Sequence, residues 1–214
     1  MNKLTLSAVA AGAGVTALGA FLAFGPCGPC EAPAEQSMTP VLYATTAAED
    51  IFKVDPVHSS IVFRVKHNNV SYYWGRFNRM EGTFLIDPTT PSNSRIEVKV
   101  PTESVDTANE GRDRHLRSPD FFSAAEFPEL AFKSKSFSSK GDNIYDVQGE
   151  LTLHGQTKPV TVRVEDTGRG QGRRGEVAGF EATLTIKRSE FGMTHMLGGI
   201  GDDVRIIVSL QGGR

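Results

Sequence analysis

Cys27-Gly28-Pro29-Cys30 is the first stretch of the chain with chemistry of its own. A C-G-P-C sequence exchanges disulfides when its first cysteine sits at a helix N-terminus, where the dipole lowers the thiol pKa. Here it follows a membrane-like apolar run and precedes a linker rich in Ala, Thr, Pro and Glu, with no strand–helix frame around it. Two thiols in or beside a targeting segment is the preferred reading. The five histidines, His58, His67, His115, His154 and His195, form no H-E-x-x-H and no short H-x-H pair, so their spacing predicts no metal site. No G-x-S-x-G elbow and no Walker loop occurs, and no catalytic residue is assigned. His58 and Ser59 are strand neighbours that point to opposite faces, so they form no dyad. Asp55 to Ser59 reads instead as a turn held by Asp and Ser oxygens.

The densest polar cluster is Arg112-Asp113-Arg114-His115-Leu116-Arg117. On a helix, Arg112, His115 and Leu116 share one face, and Asp113 pairs with Arg117 at i, i+4. Arg112 and His115 then either meet a phosphate or carboxylate at a ligand entrance or act as buttresses for neighbouring loop carbonyls. The second role carries more weight. The basic, Gly-rich run 169–175 precedes no helical pattern and reads as a mobile hairpin loop.

The elements that must position these groups are strands. Ile61, Phe63 and Val65 alternate with polar residues, as do Ile96, Val98 and Val100, then Val160, Val162 and Val164, then Phe180, Ala182, Leu184 and Ile186. Period-two alternation marks strands with one buried and one wet face, which implies an antiparallel sheet. The pattern predicts about eight strands, near 51–57, 60–67, 75–86, 94–101, 130–138, 143–153, 157–166, 177–187 and 203–211, with the first a short extension. Thr107 and Glu110 fit a capping box that opens a helix over 108–117, and Ser118-Pro119 ends it. About eight antiparallel strands fit a closed barrel or a two-sheet sandwich; a barrel of eight is filled by side chains or holds one small ligand.

Charge and the N-terminus narrow the function. Lys plus Arg number 23 against 25 Asp plus Glu, so no basic field exists to hold nucleic acid. Two cysteines exclude a disulfide-stapled scaffold. Residues 4–24 carry no charge and follow Lys3, which reads as an export signal or a signal anchor. The expected organisation is a signal segment over 1–34, a linker over 35–50 and one domain over 51–214. Thirteen Phe against one Trp and four Tyr suit an interior for an aliphatic chain, or equally a packed β core.

The string of local features resembles the YceI-like, polyisoprenoid-binding family. The residues that carry the resemblance are Asp55 to Ser59, Phe63, His67, Gly75, Phe77, Asp106-Thr107, Arg112 to Leu116, and Ser118 to Phe122. Phe127-Pro128, Phe132, Ser134, Gly149 to Gly155, Arg188 and Phe191-Gly192 complete the set. The resemblance implies an all-β, lipocalin-like, eight-stranded antiparallel barrel with a short helix between strands. It implies an apolar tunnel for a polyisoprenoid or other long amphiphile; it does not imply catalysis, and no cofactor is expected. Phe63, Phe121, Phe122 and Phe132 are then expected at the tunnel, and His67, Arg112 and His115 at its mouth. Val65, Ile96, Val98, Leu151, Leu153, Val162, Leu184 and Ile186 complete the expected lining. The expected location is the periplasm or the exterior, free or held at the inner membrane by residues 4–24. Membrane association through that segment and a homodimer are left open. The competing reading is a redox or hydrolytic accessory module that uses Cys27 and Cys30 or the His115 cluster.

Overall fold

The computed structural model describes residues 51–214. The expectations for the signal segment, the linker, Cys27 and Cys30 fall outside the described residues. Eleven strand segments follow: β1 (Phe52–Val54), β2 (Ser60–His67), β3 (Ser71–Phe77), β4 (Glu81–Leu85), β5 (Arg95–Pro101), β6 (Val105–Asp106), β7 (Glu129–Gly141), β8 (Ile144–Leu153), β9 (Gln156–Gly172), β10 (Gly175–Lys187) and β11 (Ile200–Gly213). One helix, α1 (Glu110–Arg117), lies between β6 and β7.

All the pairings are antiparallel, and β11 bonds to both β2 and β1, which closes the sheet on itself. β1 and β2 run in line along β11, interrupted at residues 55–59. β3 and β4 run in line against them, and β6 continues β5 in the same way. Counted so, the chain is an eight-stranded up-and-down barrel. Closure removes both sheet edges. The alternation read from the sequence is the inward and outward alternation of this barrel wall.

One end of the barrel is filled. Phe52 stacks on Phe84 with ring centroids 5.7 Å apart, and Phe84 meets Phe180 edge-on at 5.0 Å. The guanidinium groups of Arg169 and Arg214 cover Phe52 at 5.3 and 5.1 Å. At the other end α1 and residues 118–128 lie across the opening. Leu116 and Phe122 pack against the core, with Phe122 edge-on to Phe77 at 5.7 Å.

Several local expectations need correction. The helix cap is Asn109, not Thr107: its extended backbone precedes the first helical residue, and its side chain accepts from the Arg112 N–H at 2.9 Å. The Thr107 amide and hydroxyl both donate to the buried Asp113 carboxylate. Asp113 therefore turns away from Arg117, whose guanidinium donates to the carbonyls of Glu103 and Val105. The end of the helix stands as read, with the Ser118 N–H returning to His115 O at 3.1 Å. Residues 169–172 are not loop but ladder, paired with 175–178 around a turn at Arg173 and Arg174. The register shifts between Gly179 and Phe180, opposite residues 166–168, where Gly168 takes a positive φ of 106°. The strand expected over 75–86 is two pieces. Its first begins at Ser71, because Tyr72 and Trp74 are exposed on the outer face and mask the alternation. Asp55 does hold its turn, accepting from Val57 N at 2.9 Å and contacting His58 Nδ1 at 2.7 Å. The Ser59 hydroxyl instead bridges to the backbone of Gln211 on β11.

Candidate functional site

The filled end stops at Phe180. Beyond it the barrel encloses a cavity of about 530 Å³ that runs to the end under α1. That volume is in the range of pockets that take a small organic ligand, roughly 300–1,000 Å³. Its walls come from nearly every strand, because each contributes alternate inward side chains.

All fifteen residues expected at the site line this cavity. Phe63 and Val65 enter from β2, Ile96 and Val98 from β5, and Phe132 from β7. Leu151 and Leu153 come from β8, Val162 from β9, and Leu184 and Ile186 from β10. Phe121 and Phe122 close over them from the segment after α1, and His67, Arg112 and His115 stand at the rim. The site expected from the sequence left out strand residues such as Leu130, Val204, Ile206 and Val208, and also Tyr73, Leu116, Arg188, Met193 and Met196, all of which line the space. Tyr73 was hidden by its outward aromatic neighbours Tyr72 and Trp74. Leu116, Arg188, Met193 and Met196 sit on a helical turn or a loop, where period two carries no signal.

The polar groups of the cavity are few: two hydroxyls, of Tyr73 and Thr107, and the basic His67, Arg112, His115 and Arg188. No Asp or Glu lines it among the described residues, whereas Arg112 and Arg188 do. Arg112 stacks on the Tyr73 ring at 4.0 Å, donates to that hydroxyl, and donates from Nε to Thr107 Oγ1 at 2.8 Å. Its Nη2 also donates to the Thr107 carbonyl at 2.7 Å. Through Thr107 the network reaches Asp113. Arg112 thus buttresses the start of α1 while one side of it faces the cavity. Arg188 is 3% exposed and donates to the carbonyls of Gly201, Met193 and Ile200 at 2.8–2.9 Å. Burial pushes its pKa below the usual value. Its three carbonyl partners fold residues 192–200 back against the mouth. The next anchor of that loop is Asp202, which accepts from the Ser189 N–H and hydroxyl, each at 2.8 Å. Those bonds, the backbone one first, hold the Asp202 carboxyl below the ordinary range.

At the rim the fold assembles a group that spacing does not show. His115 on α1 and Asp120 just after it are joined by His195 from the β10–β11 loop. His115 Nε2 lies 2.9 Å from Asp120 Oδ2, and His195 Nδ1 lies 4.0 Å from Asp120 Oδ1. The Phe121 ring stands edge-on to both imidazoles, at 5.0 and 5.2 Å. Exposed Val70, Met196 and Leu197 lie on the β2–β3 and β10–β11 connections. The Asn68 N–H bonds Gly199 O at 2.7 Å and ties those two connections together.

A closed antiparallel barrel with one filled end and one apolar, basic-mouthed cavity is a lipocalin-like barrel. The family model of the YceI-like domain matches residues 52–212, and the chain belongs to that family. The UPF0312 protein ECA1782 of Pectobacterium atrosepticum is 40% identical over 169 residues, which span 78% of this chain and 88% of that one. Among solved structures, BcnA of Burkholderia cenocepacia superposes with a TM-score of 0.68 at 25% identity, covering 74% of this chain and 98% of BcnA. A polyisoprenoid binding domain from Saccharophagus degradans, implicated in plant cell wall breakdown, shares the fold with a TM-score of 0.59 at 15% identity, covering 76% of this chain and 98% of that one.

Proposed function

We propose that this protein binds a polyisoprenoid or similar long-chain amphiphile in its barrel cavity and carries it outside the cytoplasm. The observation that carries the reading is the cavity itself: about 530 Å³, walled by Phe, Leu, Ile and Val, with no carboxylate among its lining residues and arginine at its mouth. Burying a methylene contributes about 0.8 kcal/mol, so ten of them supply about 8 kcal/mol before ordering costs. The apolar tail lies toward Phe180, and the polar end rests near Arg112 and His115. The barrel's role is binding rather than catalysis. The name of the Saccharophagus degradans domain, polyisoprenoid binding, supports the same ligand class. Export rests on the uncharged run over 4–24 behind Lys3.

Native mass spectrometry of the protein purified without detergent tests the ligand. One long-chain amphiphile per chain is expected, released into organic solvent and absent from a Phe132→Asp variant. A bound hydrophilic molecule, or the same mass for both proteins, would overturn the reading. A reporter active only outside the cytoplasm, fused after Ala48, tests export; a stably made but silent fusion would contradict it.

A further inference from the structure

We propose that His115, Asp120 and His195 form a divalent transition-metal site at the mouth of the barrel. One ligand atom from each residue lies within 4.8 Å of those of the other two. Ligands about 2.0–2.1 Å from a tetrahedral zinc ion stand about 3.4 Å apart. His115 Nε2 lies 2.9 Å from Asp120 Oδ2 and His195 Nδ1 lies 4.0 Å from Asp120 Oδ1, so the two imidazoles face opposite oxygens of one carboxylate at separations close to that spacing. Three ligand atoms already within 4.8 Å of one another can reach one ion by side-chain adjustment. Two imidazoles and one carboxylate are a donor set suited to zinc and its first-row neighbours.

The placement supports the assignment. His115 and Asp120 are five residues apart, but His195 comes from the β10–β11 loop, 75 residues beyond Asp120. Both imidazoles are packed against the Phe121 ring, which fixes their planes relative to each other. The neighbouring guanidiniums of Arg112 and Arg117 are turned away, engaged with Tyr73 and Thr107 and with the Glu103 and Val105 carbonyls. The side chains are accessible, so an ion can reach them and keep a fourth position for water. A bound ion ties the segment after α1 to the β10–β11 loop across the cavity mouth.

The test is a titration of zinc chloride into ligand-free full-length protein carrying Cys27→Ser and Cys30→Ser, which removes thiolates as competing ligands. Calorimetry is expected to show one equivalent of zinc, with His195→Gln or Asp120→Asn each reducing affinity by more than the about 10–100-fold that loss of an outer-shell partner costs. His58→Gln, at the separate Asp55–His58 pair, is expected to leave it unchanged. Zinc is also expected to raise the unfolding temperature of the parent but not of His195→Gln, whose fold is checked by its unchanged circular dichroism. Histidine ring resonances give a second readout: those of His115 and His195 move together at one equivalent. The proposal is overturned if no saturable one-to-one binding occurs, or if it survives His195→Gln and Asp120→Asn undiminished. Zinc binding is measured without lipid, so its failure leaves the lipid-binding reading standing.

Discussion

Phe132→Ala is expected to cost far less stability than Phe84→Ala, although both remove the same ring from the barrel interior. Phe84 is 1% exposed and packed between Phe52 and Phe180. Its truncation leaves a void in a filled region and should cost about 3–5 kcal/mol. Phe132 is half-buried, lies against Gly149 on one side and borders the cavity on the other. Its removal enlarges a space that already exists, so only part of the about 1.5–3 kcal/mol transfer free energy of the ring is lost. That is about 1 kcal/mol. For a domain of this size, 1 kcal/mol moves the unfolding midpoint by about 2–4 °C. Phe132→Ala should therefore lower the midpoint of the ligand-free protein by about 2–4 °C, and Phe84→Ala by at least about 6 °C. Urea unfolding with an unchanged m value checks that the loss is one of stability. Equal losses for the two variants would refute the open cavity and make the interior a packed core.

Other perturbations probe separate parts of the account. Arg188→Met should destabilise by about 3 kcal/mol or more, because one buried and two partly buried carbonyls lose their donor; hydrogen exchange should show residues 192–200 opening first. A Cβ on Gly75 would sit 2.4 Å from Phe63 Cζ and 2.9 Å from Thr107 Cγ2, so Gly75→Val should push the Phe63 ring into the cavity. Its expected signature is a loss of about 1–3 kcal/mol in urea unfolding together with reduced uptake of a fluorescent fatty acid. The Asp106 carboxyl is held down to about 2 by hydrogen bonds from the Ala108 N–H, Asn78 and Arg76. With a folded pKa below the unfolded one, its contribution is present above pH about 3.9 and is lost as pH falls through about 2. Carbon-detected titration of that carboxyl should place its midpoint near 2; a midpoint near 4 would contradict the contacts.

Much of the barrel was legible because a half-buried strand writes its faces into the chain at period two. Phe63 and Val65, Ile96 and Val98, and Leu184 and Ile186 could be assigned inward for that reason, and they line the cavity. The pattern failed where both faces carry aromatics, as at Tyr72, Tyr73 and Trp74, and where glycine and arginine stand in the ladder, as at residues 169–172. It also could not separate a hollow interior from a filled one, since Phe132 beside the cavity and Phe84 in the packed end are the same residue type. Capping was misassigned by two residues because Thr107 and Asn109 are both good caps. The choice was made by Asp113, a tertiary partner for Thr107 that local spacing does not reveal. His195 joins His115 and Asp120 only once β10 and β11 bring its loop to the rim.

Uptake of a long-chain amphiphile by the delipidated protein tests the central claim most directly. A fluorescent fatty acid or polyprenyl probe titrated into the solvent-extracted, refolded chain should bind saturably at one per barrel, with Phe132→Asp abolishing uptake while the circular dichroism stays β-type. Absence of saturable uptake of any long-chain probe by the refolded parent protein would contradict the account.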